Sequence, residues 1–248
     1  MKKDLLGSRM KENYENRAKT YLTRRIPVLI RLDGKAFHTF TKGMDRPFDK
    51  LLSEAMQETT KYLCENIQGC KIGYTQSDEI TLLLTDFEKL DTDAWFDYNV
   101  QKMCSISASL ATLSFNMIFS RKALESGNDL YINKINKAMF DSRVFNIPKE
   151  EVCNCFIWRQ QDATKNSISM VAQSYFSTKE LQCKNGMQKQ DMLFLEKGIN
   201  WNNFSPSEKR GTCIERVYIG NRGKWVIDLD TPIFSKDRYY IEKYLGVD

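Results

Sequence analysis

The sequence predicts an α+β fold: a ferredoxin-like antiparallel sheet with helices on one face. Three observations carry that prediction. Ile26-Pro27-Val28-Leu29-Ile30 is a short, β-rich apolar run that leads into Arg31-Leu32-Asp33-Gly34, the pattern of a buried strand. Lys71-Ile72-Gly73-Tyr74 and Ile80-Thr81-Leu82-Leu83-Leu84 flank Gln76-Ser77-Asp78-Glu79 as the arms of a hairpin flank its turn. Two longer stretches repeat their apolar residues at helical spacing. The resulting order of strand, helix, strand, strand, helix, strand is the split βαβ arrangement.

Along the chain, residues 1–25 are charged, with Met10, Tyr14, Ala18 and Tyr21-Leu22 at helical spacing. They predict an amphipathic helix ending before Pro27. After the first strand, 39–47 reads as a loop carrying Lys42 and Arg46. Phe48, Leu51-Leu52, Ala55-Met56, Thr59 and Leu63 then mark a helix. The hairpin follows, and 86–93 is an acidic linker. Trp95 to Phe119 predicts a long helix whose small residues Ser107, Ala108, Ser109 and Ala111 suit packing against a sheet. A Ser126-Gly127-Asn128 turn closes it. Ala138 to Ile147 is the fourth strand, stopped by Pro148. A further helix spans Glu150 to about Phe176, and Val217, Tyr218, Trp225 and Ile227 suggest a hairpin around 220–223. The division expected is a palm-like catalytic unit with its N-terminal helix, 1–148, and a helical and hairpin extension, 149–248.

The chain has 248 residues, is 42% hydrophobic and carries a formal charge of +5. It is long enough for a substantial core, and mildly basic, as suits an anionic partner. No apolar segment near the start resembles a secretory leader, and no uninterrupted apolar run approaches membrane-spanning length. Seven cysteines lie at irregular spacing with one histidine. They form no zinc-binding pattern and read as reduced thiols of a cytoplasmic protein.

Asp33 and Asp78 are the candidates for chemistry. If the first strand lies beside the hairpin, both acids meet at one sheet edge. Two carboxylates beside an open backbone suit magnesium, which takes one or two carboxylates and keeps room for water and phosphate. Gly34 would add its carbonyl and permit close approach of a triphosphate. Amides of Lys35, Ala36, Phe37 and His38 would cradle phosphates, with Phe37 stacking near a base or packing beneath the loop. Glu79 is a third ligand, an outer acid or an inward strand residue. Arg31 shares a strand face with Asp33, since side chains alternate.

Asp33-Gly34-Lys35-Ala36-Phe37-His38 together with Tyr74-Thr75-Gln76-Ser77-Asp78-Glu79 resembles the tRNA-His guanylyltransferase family. The resemblance is closer to its bacterial and archaeal guanylyltransferase-like branch, the 3′–5′ RNA polymerases. It implies a polymerase-palm core and two Mg²⁺ ions on Asp33, Gly34 and Asp78. It implies catalysis by Asp33, Asp78 and Glu79, and nucleotide contacts from 33–38, Arg46, Ser77 and Asp78. Arg31, Lys102 and Lys189 would meet a second triphosphate or the tRNA 5′ end. Arg159, Asn166, Lys209 and Arg210 are its tRNA-facing candidates. It further implies ATP and GTP or another nucleoside triphosphate as substrates, tRNA as partner, a homotetramer built as a dimer of dimers, and no membrane. Trp158-Arg159-Gln160 matches a family block. After it the eukaryotic enzymes carry Asp-x-His-Ile-Asn-Asn-x-Tyr-Asn, whereas this chain reads Asp162-Ala163-Thr164-Lys165-Asn166-Ser167-Ile168-Ser169-Met170. The missing histidine favours template-dependent repair of truncated tRNA 5′ ends over dedicated addition of an extra G to tRNA-His.

Overall fold

The computed structural model describes residues 5–220 and 222–246. In chain order its elements are α1 (Leu5–Met10), β1 (Val28–Gly34), α2 (Phe37–Phe40), α3 (Lys50–Asn66), β2 (Cys70–Gln76), β3 (Glu79–Leu84), α4 (Val100–Ser126) and α5 (Asp129–Ile132). These are followed by β4 (Phe140–Asn146), α6 (Lys149–Tyr175), α7 (Gly186–Lys197), α8 (Pro206–Arg210), β5 (Thr212–Ile219), β6 (Arg222–Asp228) and α9 (Tyr239–Glu242).

The six strands form one antiparallel sheet in the order β4-β1-β3-β2-β5-β6. Its first four strands are the expected ferredoxin-like set. The C-terminal hairpin forms as expected and adds to the free edge of β2, where Ile72 pairs with Glu215. Asn221 of its turn lies outside the described residues.

Both faces of the sheet are covered. Val28, Ile30, Leu32, Ile80, Leu82 and Leu84 pack under α3 and α4, in a core that includes Met56, Leu63, Met103 and Phe115. The alternate residues Leu29, Ile72, Tyr74 and Leu83 pack against Val152, Cys153 and Phe156 of α6 and against Phe234. Burial on both sides is why β1 and β3 read as continuous apolar runs instead of alternating ones. The two helices expected on one face are α3 and α4. The extension supplies α6 to the other.

Two helix boundaries differ from the sequence expectation. The N-terminal helix stops at Ala18, having passed through irregular turns from Lys11, and buries no residue along that path. With no apolar face against the core, nothing offsets the entropy of extending it. The chain instead runs on to pair Leu22 N with Tyr98 O and Thr20 O with Val100 N. The long helix begins at Val100, not Trp95, because Phe96 and Asp97 adopt left-handed φ of 51° and 52°. Asn99 then caps it by accepting from Lys102 N at 3.0 Å. An 18-residue stretch of α4 has a mean hydropathy of 1.3, so the helix is long and apolar enough to cross a bilayer by length and composition. Its inner face, Met103, Ala111, Phe115 and Phe119, is packed into the core. All seven cysteines are free thiols.

Candidate active site

The end of β1 brings carboxylates together by register. Asp33 stands opposite Glu79 on β3 and opposite Asp141 on β4. Because side chains alternate, all three share the α6 face of the sheet. The two-residue turn Ser77-Asp78 joins β2 to β3. Gly34 N donates to Asp78 O at 3.1 Å, which ties this turn to the end of β1. Ser77 takes a left-handed φ of 50°, and its hydroxyl donates to Asp78 Oδ1 at 3.1 Å. Burial raises the Asp33 pKa, and the like charges of Glu79 and Asp141 add to it against the partial relief of Arg31 and Arg143. Burial also raises Asp78, with Asp33 and Glu79 adding and hydrogen bonds from its own backbone and from Ser77 opposing. Both aspartates therefore hold excess negative charge that a cation would relieve.

Glu79 has a different fate. Arg159 Nε and Nη2 reach its two oxygens at 2.5 and 2.7 Å, and Arg31 Nη2 approaches at 3.0 Å. Arg159 also bonds Asp162 at 2.8 Å. The Trp158 ring lies 5.5 Å from the Arg31 guanidinium and 4.3 Å from that of Arg159. Of the three positions open to Glu79, the geometry is that of the inward strand residue, with both oxygens held by guanidinium groups. Arg159, expected to face tRNA, is 4% exposed. Helix α6 crosses this face of the sheet and buries its head between Glu79 and Asp162.

The loop after β1 turns sharply at Ala36, whose φ is 54°. Phe37 is buried among Phe40, Phe115 and Phe140 at centroid distances of 5.0 to 5.6 Å, so it packs beneath the loop and does not stack on a base. A Cβ on Gly34 would fall 2.3 Å from that ring. Glycine is required there for the aromatic beneath as much as for any ligand above. Lys35 N donates to Met139 O at 2.8 Å. Among the described residues the amides of Ala36, Phe37 and His38 donate to no protein acceptor, and the left-handed turn makes the concave amide arrangement that binds anions. His38 is exposed, with Nε2 3.0 Å from Thr39 Oγ1.

A cleft of about 560 Å³ unites Gly34, Ala36, His38, Arg46, Ser77 and Asp78. A second cavity of about 390 Å³ adjoins it across Asp49, Leu52, Ser77 and Met170, and Asn166 lies in its wall. The other predicted cations lie elsewhere. Lys102 is exposed at the start of α4, with Nζ 5.9 Å from the Phe96 ring. That is roughly 15 Å along the helix from Thr112, which bonds Phe140 beside Gly34. Lys189 bonds Ser169 Oγ at 3.0 Å, while Lys209 and Arg210 secure the carbonyls of Asn202 and Thr231 at 2.7 and 2.6 Å. Sequence reasoning missed two acids. Asp141 was hidden because only strand register places it beside Asp33. Asp49, buried between the two cavities, caps α3 by accepting from Leu52 N at 2.8 Å and also accepts from Tyr131 Oη at 2.6 Å. Its signal was that of an ordinary helix cap.

A palm-like sheet with two uncompensated aspartates at its end, beside an anion-binding loop and a nucleotide-sized cleft, defines a nucleotidyltransferase. The chain belongs to the tRNAHis guanylyltransferase family, whose model matches residues 7–148. A solved bacterial tRNA(His) guanylyltransferase-like protein in complex with ATP is 47% identical, with a TM-score of 0.89 over 98% of this chain and 100% of that one. A complex of such a bacterial protein with GTP is 45% identical, with a TM-score of 0.82 over the same shares. A probable tRNA(His) guanylyltransferase of Drosophila melanogaster is 26% identical over 81% of this chain and 71% of its own length.

Proposed function

We propose that this nucleotidyltransferase acts on tRNA, adding nucleotides in the 3′–5′ direction to restore truncated 5′ ends against the opposite strand. The observation that carries the reading is the contrast within one carboxylate cluster. Glu79 is neutralised by arginines, whereas Asp33 and Asp78 have no hydrogen-bonded guanidinium partner and lie next to free amides. The likeness to proteins solved with ATP and with GTP supports a nucleoside triphosphate in the cleft.

Among the described residues no group of three or more His, Cys, Asp or Glu side chains is arranged to hold a metal ion. Two carboxylates and a backbone oxygen nonetheless fit magnesium, which completes its shell with phosphate and water. Asp33 and Asp78, with the Gly34 carbonyl, would hold such ions, and bound magnesium supplies charge neutralisation at the reacting phosphates. The chain's own groups do the rest. The amides of 36–38, with His38 and Arg46, hold and orient the triphosphate. Arg31 is fixed by Glu79 and Trp158, and its positive charge acts on Asp33, where it would help hold the phosphate of the RNA 5′ end. The 3′-hydroxyl of the added nucleotide attacks that activated phosphorus, and pyrophosphate or AMP leaves. A cytoplasmic homotetramer is part of the proposal.

The test is an extension assay with Mg²⁺, ATP and all four nucleoside triphosphates. It compares tRNA lacking its first nucleotide, as 5′-monophosphate and 5′-triphosphate, with full-length tRNA-His. Template-matched filling of truncated tRNAs whatever the anticodon is the expected result. Addition confined to full-length tRNA-His would replace this reading with a dedicated guanylyltransferase.

A further inference from the structure

We infer that the cavity beside the nucleotide cleft receives the templating base, and that Gln76 checks there the shape of the nascent base pair. This deepens the template-dependent reading above and rests on it. The cavity, of about 390 Å³, is within the range of small-ligand sites and takes one nucleoside. It shares Asp49, Leu52 and Ser77 with the cleft. The cleft has the anion-binding loop; the cavity does not. Two adjoining spaces of this kind suit two nucleosides set edge to edge, only one of which carries a triphosphate.

Gln76 is the residue that the chemistry of the cleft leaves over. By strand alternation it shares the α6 face of the sheet with Tyr74 and, across the ladder, with Glu79. It is 9% exposed, yet among the described residues its carboxamide has no hydrogen-bond partner. A buried polar group left bare is costly, and the space that Gln76 lines is this cavity. Asn166 enters the wall from α6 and is also without a partner. The acids of the wall are taken: Asp49 by Leu52 N and Tyr131, Glu54 by Lys122, and Glu208 by Ser205. The free groups are therefore carboxamides, each a donor and an acceptor, the chemistry of a base edge and not of a phosphate. Lys50 is exposed in the wall, placed for the backbone of a strand that passes the mouth.

Base pairing decides which nucleotide is added; the protein can add a check on the geometry of the pair. Every Watson–Crick pair offers an acceptor in its minor groove, N3 of a purine or O2 of a pyrimidine. A carboxamide N–H donated to that atom on the templating base accepts all four templates and rejects a displaced pair. Gln76 directly precedes the Ser77-Asp78 turn, so a misplaced pair would be felt one residue from the chemistry. A carboxamide bidentate to adenine N6 and N7 would instead read a single base, which does not suit the repair of arbitrary ends.

The experiment pairs a protein change with an RNA change. Single-turnover addition is measured on tRNA lacking its first nucleotide, with adenine, guanine or the 3-deaza analogue of either as the opposing base. The analogues keep the pairing edge and lose N3. Gln76→Met keeps the reach of the side chain and loses the donor, and Gln76→Glu repeats the comparison at constant shape should Gln76→Met fail to fold by circular dichroism. The wild type is expected to slow about tenfold on either 3-deaza template, the loss of one hydrogen bond. Gln76→Met is expected to be slower by a similar factor on the natural templates, to lose nothing further on the analogues, and to misincorporate more often. Losses that multiply instead of merging would show two independent effects and overturn the assignment, as would an effect confined to adenine. Matched filling by a wild type indifferent to N3 overturns the assignment alone. A wild type that fills no truncated tRNA to match its template sinks the repair reading and this assignment together.

Discussion

Asp78 and Glu79 are consecutive in the chain and opposite in fate. Asp78 sits in the turn, half-buried, with Ser77 as its side-chain partner. Glu79 begins β3 and enters a closed layer of Arg159, Arg31, Trp158 and Asp162. One residue of strand register separates them, and it turns one carboxylate outward and the other in. A carboxylate whose oxygens are filled by guanidinium forks is a geometric anchor. One left unfilled next to another acid is a place for a cation. Glu79 is thus compensated by guanidinium groups, while its neighbour Asp78, proposed for the chemistry, has only a hydroxyl and backbone hydrogen bonds.

The sharpest way to break this contrast is to remove the bare acids. Asp78→Ala deletes a proposed metal ligand without emptying a core position. Nucleotidyl transfer is expected to fall by about 10³-fold or more, as loss of charge stabilisation at phosphate does, while the melting temperature stays near that of the wild type. Single-turnover rates at saturating Mg²⁺ check it. A loss below tenfold would move the chemistry away from this turn.

The compensated acid answers in the other currency, stability. Glu79→Gln leaves the buried Arg159 without its bidentate partner. Breaking a buried pair on one side costs about 3–5 kcal/mol, which is on the order of 10 °C in Tm for a chain of this size. Glu79→Leu/Arg159→Leu, which removes both charges, is expected to recover much of that loss. Thermal unfolding of the three proteins decides it. A single variant as stable as the wild type would show the layer to be dispensable.

Much of this was legible beforehand. The apolar runs fixed β1, β2 and β3, and the paired Asp33 and Asp78 motifs pointed to the candidate site, because strands buried on both faces and acids at a hairpin turn leave local signatures. The roles of Glu79 and Arg159 were not legible. They depend on α6 lying across the sheet, a contact between residues eighty apart in sequence. Asp141 is a register partner that no local pattern reveals. Lys102 carries a cation at helical spacing whichever way its helix points, so its distance from the cleft emerged only with the start of α4 at Val100. The same limit explains the over-long N-terminal helix: periodicity was present, but the sheet offered it no surface.

The smallest expected effect tests the electrostatic half of the contrast. Burial, Glu79 and Asp141 hold the Asp33 pKa above its ordinary 3.8. An acid raised on folding binds its proton more tightly in the native state. Its contribution to stability is complete below the unfolded pKa and is lost as pH rises through the folded one. At pH 7 the ionised Asp33 therefore weakens the metal-free fold, and Asp33→Asn is expected to melt a few degrees higher than wild type there. The gap should close as pH falls to the ordinary carboxylate range and below, where Asp33 is also neutral. Adding Mg²⁺ should raise the wild-type Tm and leave the variant's almost unmoved, since a ligand that binds only the native state stabilises it. A variant that melts lower than wild type at pH 7 without metal would mean that Arg31 and Arg143 already balance Asp33, and the distinction between bare and compensated acids would then rest on Asp78 alone.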